Sequence, residues 1–175
     1  MRDTNRWTRC AHGHRHWGSL GAAGLMLTRR TPDSPAGTPE VLLQHRADWV
    51  HHGGTWSVPG GAIQRDETAW ETALREVREE TGLDVGAAHE LARYVDDHGG
   101  WSYTTIIATL DTNTGVSATL AQIGWLDTIL IGEQQDLSWR PVAAVDGLAL
   151  HPGFVDSWPA VRSLVLTTPT PAPRE

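Results

Sequence analysis

Apolar and polar positions change rhythm along the chain, and the rhythm predicts the elements. Residues 19–28, SLGAAGLMLT, are a continuous apolar run with small residues, as in a buried strand. VLLQHR (41–46) reads as its partner, across a turn segment, TPDSPAGTPE (31–40), that is rich in proline and glycine. ELARYVDD and SYTTIIATL (102–110) read as strands, the second rich in β-branched residues, and DLSWRPV as a short one. Between them the period becomes helical. With Glu76 set at 0° on a helical wheel, Trp70, Ala73, Leu74 and Val77 fall between about 60° and 160° and make an apolar stripe. Asp66 is the expected N-cap of this helix and Gly82 its C-cap. A second helix is expected over GFVDSWPAVRSLVL (153–166), with Pro159 interrupting it or marking a later start. Residues 1–17 read as an irregular polar arm, 18–166 as one domain, and 167–175, TTPTPAPRE, as a disordered proline-rich tail. Residues 112–132 match neither period. Strands around one central helix make the class α+β, or a mixed α/β sandwich.

Composition narrows what such a domain does. The chain has 175 residues, 39% hydrophobic and 20% charged, an ordinary globular balance. Its net charge is -7, and all 14 basic residues are arginine. An acidic whole argues against broad nucleic-acid or membrane binding, yet leaves room for a local arginine pocket for phosphate. One cysteine, Cys10, cannot form an internal disulfide, which suits a reducing compartment. No apolar run approaches the ~18 residues of a membrane span, and the amino-terminal residues carry no signal-peptide pattern. The expected location is the cytoplasm.

The helix carries the chemistry. Glu76, Glu79 and Glu80 share an arc of roughly 100° on the face beside the apolar stripe. Like charges so spaced destabilise a helix by a few tenths of a kcal/mol. Either water screens them or something positive sits among them. Ala69 and Thr72 below them are small, so the ground over that face reads as clear. Hard divalent cations favour carboxylate oxygens, and Mg2+ takes one or two carboxylates along with waters and substrate phosphates. As a bare triplet the three acids equally describe a solvated helix face.

The triplet stands in a longer pattern. Gly61, Glu67 and then Arg75-Glu76-Val77-Arg78-Glu79-Glu80-Thr81-Gly82-Leu83 resemble the signature box of the Nudix (MutT-like) hydrolases at every fixed position. Such a match arises by chance on the order of once in a hundred million start points. The resemblance covers roughly residues 19–165. It implies a Nudix-like α/β/α sandwich, with a mixed sheet, a loop–helix–loop and a C-terminal helix. It implies an enzyme that cleaves a pyrophosphate bond in a nucleoside diphosphate linked to another group, with Mg2+ or Mn2+ as cofactor. Carried over by position, Glu76, Glu79, Glu80 and the Gly60 carbonyl are metal ligands, and Glu67 pairs with Arg75 to orient the loop. The metal neutralises the pyrophosphate, a carboxylate takes a proton from water, and the oxygen attacks phosphorus. The base is a box glutamate, Glu76 or Glu79, or the outlying Glu133, with Asp136 its competitor. The family also holds nucleotide sensors without turnover, but these usually lose box glutamates, and every box acid is present here. A homodimer is the oligomer suggested by analogy.

The partner is a small nucleotide, first a nucleoside triphosphate and an oxidised one among them, then a nucleotide sugar or dinucleotide. Substrate signs used by subfamilies are missing. No proline stands about fifteen residues after the box, as in ADP-ribose hydrolases, and Tyr103 is displaced from the tyrosine of dinucleoside-polyphosphate hydrolases. LLQHRA begins the coenzyme A pattern, which then fails at His51. Arg46 is a candidate phosphate contact, and Trp49 and Trp101 are candidates for stacking on a base, against the commoner role of tryptophan as packing. HRHWGSLGAAGL and LHPGFVDSWPAV resemble a Nudix subgroup of high-GC bacteria with no settled substrate. Cys10, His12, His14 and His16 alternate, so in one extended strand they share a face. Their chemistry suits zinc, but parallel side chains in a single strand close poorly into a tetrahedron.

Overall fold

Alternation along three neighbouring strands decides which layer each residue enters. The computed structural model describes residues 4–30, 38–110, 129–131 and 135–169. Strands β1 (Trp7–Arg9) and β2 (Arg15–Trp17) form a separate two-stranded hairpin. The main sheet has eight strands. They are β3 (Ala22–Arg29), β4 (Glu40–Arg46), β5 (Trp56–Ser57), β6 (Gly60–Ala62), β7 (Ala88–Asp97), β8 (Ser102–Leu110), β9 (Ile129–Ile131) and β10 (Gln135–Pro141). The order is β7-β8-β3-β4-β10-β9, with β5 against β4 and β6 against β3. β3 and β8 run parallel and the other pairs antiparallel, so the sheet is mixed.

On one face Leu25, Leu27, Leu42, Ile106 and Trp139 meet helix α1 (Ala69–Thr81) through Ala73 and Val77. On the other, Met26, Val41, Leu43 and Ile107 meet α2 (Val142–Val145) and α3 (Pro152–Thr167) through Val142, Val145, Phe154, Trp158 and Val161. Neighbours in each strand go to opposite layers, the period-2 rule of a pleated sheet covered on both sides. The class is α+β, in an α/β/α arrangement.

Three expectations about elements are corrected. The N-cap of α1 is Thr68, not Asp66. Thr68 and Glu71 form a reciprocal capping box that satisfies two otherwise orphaned N–H groups, while Asp66 sits in the preceding turn with φ 68. Gly82 is the C-cap as expected, left-handed at φ 70. Pro159 neither interrupts nor delays α3, which starts at Pro152 and runs through it. The carbonyl that Pro159 leaves without its helical donor belongs to Val155, which is exposed to water. The arm expected to be irregular contains the β1–β2 hairpin. Of the stretch 112–132 that matched neither period, residues 129–131 form β9 and the rest lie outside the described residues, as does Glu133; of the tail at 167–175, Thr167 ends α3 and residues 170–175 lie outside them.

Candidate active site

The site forms where β6 runs into α1. β6 lies against the small-residue start of β3, with Gly24 opposite Gly60 and Ala23 opposite Gly61. This approach needs glycine. A Cβ on Gly60 would stand 2.5 Å from the Ala23 carbonyl oxygen, and one on Gly61 would stand 2.5 Å from the Glu76 carboxylate. The space a side chain would fill is taken by the carboxylate.

Each glutamate has its own setting. Glu80 accepts a hydrogen bond from the Gly60 N–H at 3.1 Å, which pins the turn to the last turn of the helix. Glu76 has a side chain only 15% exposed, whereas Glu79 is 57% exposed. Burial pushes the Glu76 carboxyl above its usual range, with Arg75 pulling the other way. Glu67 behaves oppositely. It accepts from Arg75 Nε at 2.7 Å, from Thr72 Oγ1 at 2.9 Å and from the Gln64 N–H at 3.2 Å. The Arg75 bond, followed by those from Thr72 and Gln64, holds its carboxyl below the usual range.

Arg75 is therefore a hub. Its Nη1 donates to Glu76 at 2.7 Å and to Glu79 at 2.9 Å, and its Nη2 to the Ala62 carbonyl at 3.1 Å and to Glu67 at 3.0 Å. The floor over the carboxylates is thus crossed by a guanidinium, the positive group that the clustered acids called for. The pairing of Glu67 with Arg75 is formed, and it extends to two of the three box acids. A chain of charge-assisted bonds of this kind fixes both the loop and the helix face.

Around this core lie Tyr103, the candidate phosphate contact Arg46 and a group of histidines, of which His52 and His151 were not singled out above. Tyr103 sits with its hydroxyl over the Gly24–Gly60 approach. Burial, then the Glu80 and Glu76 carboxylates, raise its phenol pKa, while Arg46 opposes them. Arg46 lies at the end of β4 and donates to the His51 carbonyl at 3.0 Å. Beside it, the His51 and His52 rings lie 3.9 Å apart and the His52 and His151 rings 4.8 Å apart. Burial, then Arg46 and the neighbouring histidines, push His151 down to about 4, so it is neutral at physiological pH. This basic corner was hidden in the sequence because His151 is about a hundred residues from the loop it faces. The only trace is HHGG, a histidine pair in a glycine-rich loop.

The two tryptophans expected to stack on a base differ. Trp49 is 71% exposed. Trp101 stacks on His16, centroids 3.9 Å apart, and its indole N–H donates to the Gly18 carbonyl at 2.8 Å. An open groove of about 570 Å3, lined by Thr68, Trp70, Ala88, His89, Glu90 and Arg93, contains none of the box carboxylates and is not the candidate site.

The site thus joins a glycine turn held by Glu80, a half-buried Glu76 and a Glu67–Arg75 brace. The NUDIX domain family model matches residues 21–159, so the chain belongs to the Nudix family and to its class of pyrophosphohydrolases. Over 173 residues it is 40% identical to a putative 8-oxo-dGTP diphosphatase 3 of Mycobacterium tuberculosis, covering 95% of this chain and 73% of that one. A crystal structure of a Nudix hydrolase from M. smegmatis, RenU, superposes with a TM-score of 0.72 at 34% identity, covering 93% of this chain and 96% of that one. A shorter likeness, 43% identity over 69 residues, links it to the asymmetrical bis(5'-nucleosyl)-tetraphosphatase of Mus musculus, covering 38% of this chain and 45% of that protein.

Proposed function

We propose that the chain hydrolyses the pyrophosphate bond of a nucleoside triphosphate, with an oxidised purine nucleotide such as 8-oxo-dGTP first among substrates. The observation that carries this is the intact acidic box around the Gly60–Gly61 turn, together with 40% identity over nearly the whole chain to a putative 8-oxo-dGTP diphosphatase.

The donors fit a hard divalent cation. Glu76, Glu79, Glu80 and the Gly60 carbonyl offer only oxygen, and the penalty that burial imposes on ionised Glu76 is what a cation would relieve. Mg2+ or Mn2+, when bound, supplies charge neutralisation at the pyrophosphate and acidifies water. The chain's own residues do the rest. Glu67 and Arg75 keep the loop and helix in register, with Arg75 bonded to Glu67, Glu76, Glu79 and the Ala62 carbonyl. A box carboxylate, Glu76 or Glu79, or else Glu133, accepts the proton of the attacking water, and phosphorus is the electrophile. Arg46 and the histidines beside it bind the phosphates, and Trp49, 71% exposed, stacks on the base. The site works in the cytoplasm on a free nucleotide.

The test is a phosphate-release screen with Mg2+ or Mn2+, using a coupled phosphatase where products need one. It would run across nucleoside triphosphates, 8-oxo-dGTP, nucleotide sugars, dinucleoside tetraphosphates, ADP-ribose and NADH, beside Glu80→Gln. Turnover of triphosphates, lost in that variant, is the expected result. Preference for dinucleoside tetraphosphates would replace the substrate assignment. Nucleotide binding with no turnover of anything would make the chain a sensor.

A further inference from the structure

The amino-terminal hairpin poses a stability problem. A lone two-stranded hairpin is marginal in water, and among the described residues β1–β2 pairs with no strand of the main sheet. Two of its largest side chains, Trp7 and Trp17, are 48% and 46% exposed. Yet its tip is docked closely. The Ala11 N–H donates to the Gly99 carbonyl at 2.8 Å, and a Cβ on Gly99 would stand 2.8 Å from that of Ala11.

The docking brings four ligand-type side chains together. The chain reverses at residues 11–13, with the Cys10 N–H donating to the His14 carbonyl at 3.1 Å. Cys10 therefore faces His14 and His16 across the hairpin instead of standing in line with them. His98 enters from the β7–β8 turn. The ligand atoms of Cys10, His14, His16 and His98 all lie within 4.8 Å of one another. The earlier set of Cys10, His12, His14 and His16 is corrected here: His98 takes the place of His12, and the turn removes the objection from parallel side chains. Cys10 is buried, at 7% exposure. The His16 Nε2 is buried with no hydrogen-bond partner. His98 Nε2 lies 3.1 Å from the Asp96 carboxylate, the kind of outer partner that orients a metal-ligating imidazole.

The geometry points to a structural zinc site formed by Cys10, His14, His16 and His98, which staples the amino-terminal hairpin to the β7–β8 turn. One sulfur and three nitrogens are a four-coordinate zinc set. Zn–S of about 2.3 Å and Zn–N of about 2.0–2.1 Å place tetrahedral ligand atoms roughly 3.3–3.7 Å apart. From separations of up to 4.8 Å, the widest pair has to close by roughly 1.1–1.5 Å to reach that. His14, exposed at the hairpin rim, is free to make most of the adjustment. Binding releases the Cys10 thiol proton to solvent. All four positions hold N or S donors and the Nudix box holds only oxygens, so the two sites sort soft from hard cations.

The test is metal content by mass spectrometry on tag-free full-length protein, dialysed against a weak chelator. The expected result is about one zinc per chain, unchanged in Glu79→Gln/Glu80→Gln and in His12→Ala. It is lost in Cys10→Ser, His98→Ala and the exposed-ligand variant His14→Ala, and bound roughly 10- to 100-fold more weakly in Asp96→Asn. Cobalt substituted into the wild type should show a thiolate-to-cobalt charge-transfer band, a readout that needs no variant to fold. Substoichiometric zinc after loading, a cobalt protein without that band, or zinc retained by folded His14→Ala would overturn the assignment.

Discussion

The box helix and the amino-terminal hairpin both concentrate groups that could ligate metal, and they do so by opposite means. At the box the groups are carboxylate oxygens close together on one helix and its entry loop, and their repulsion is met by Arg75, which holds three of the four acids. At the hairpin the groups are a thiol and imidazoles drawn from two distant parts of the chain, with no arginine or lysine among the four ligands and one buried nitrogen without a partner. A local cluster of like charge has to carry its own counter-ion within the fold. A cluster of neutral donors needs none, and instead costs buried polar atoms until something binds. The box acids thus have Arg75 as their counter-charge in the fold, whereas the hairpin cluster leaves the buried His16 Nε2 without a partner.

The largest effect that would break this comparison is on turnover. Glu79→Gln or Glu80→Gln is expected to lower kcat by about 10²- to 10³-fold, the scale seen when a preorganised electrostatic partner is removed, with zinc content untouched. Wild-type kcat in either variant would contradict the site. Next in size is Arg75→Met, assayed by denaturant unfolding in EDTA. Removing the hub leaves Glu67 and Glu76 without their cation and should cost about 2 kcal/mol, below the 3–5 of a fully buried pair, since the side chains are about a fifth exposed.

Smaller still, and opposite in sign, is Glu76→Gln. The folded chain holds the Glu76 proton more tightly than the unfolded chain does, so stability falls as pH rises through and above its ordinary 4.5. Glutamine escapes that penalty. In EDTA at pH 7 the variant should melt slightly higher than wild type, with the gain vanishing below pH 4.5, and in Mg2+ it should lose turnover. Glu67 has the reverse sign: its contribution is present above 4.5 and is lost as pH falls through its lowered value. A lower Tm for Glu76→Gln would mean that its Arg75 contact outweighs its burial. The smallest expected effect is local. His98→Ala should raise amide exchange at Ala11, whose N–H bonds the Gly99 carbonyl, without changing exchange in α1.

How legible each region was in the sequence follows from the distance over which its residues interact. α1 was readable because its stripe, its Gly82 cap and its acids all lie within a few turns. Its start was misplaced by two residues because Asp66 is a good cap by type, whereas the capping box depends on the pair Thr68 and Glu71. The buried strands were readable from apolar runs that enter two layers. The hairpin was not, because its short strands alternate little and its docking depends on Gly99. His98 was invisible as a candidate ligand because it lies more than eighty residues from His16, and the docking of the hairpin tip on the β7–β8 turn, not a spacing, brings the two together.

The most direct test of the central claim is a titration of turnover with Mg2+ for wild type and Glu80→Gln, on zinc-loaded protein with 8-oxo-dGTP as substrate. Wild-type turnover is expected to rise from near zero to saturation with zinc retained throughout, while Glu80→Gln stays near zero across the range. Equal turnover in the two proteins, or full activity without added divalent cation, would place the chemistry somewhere other than the acidic box.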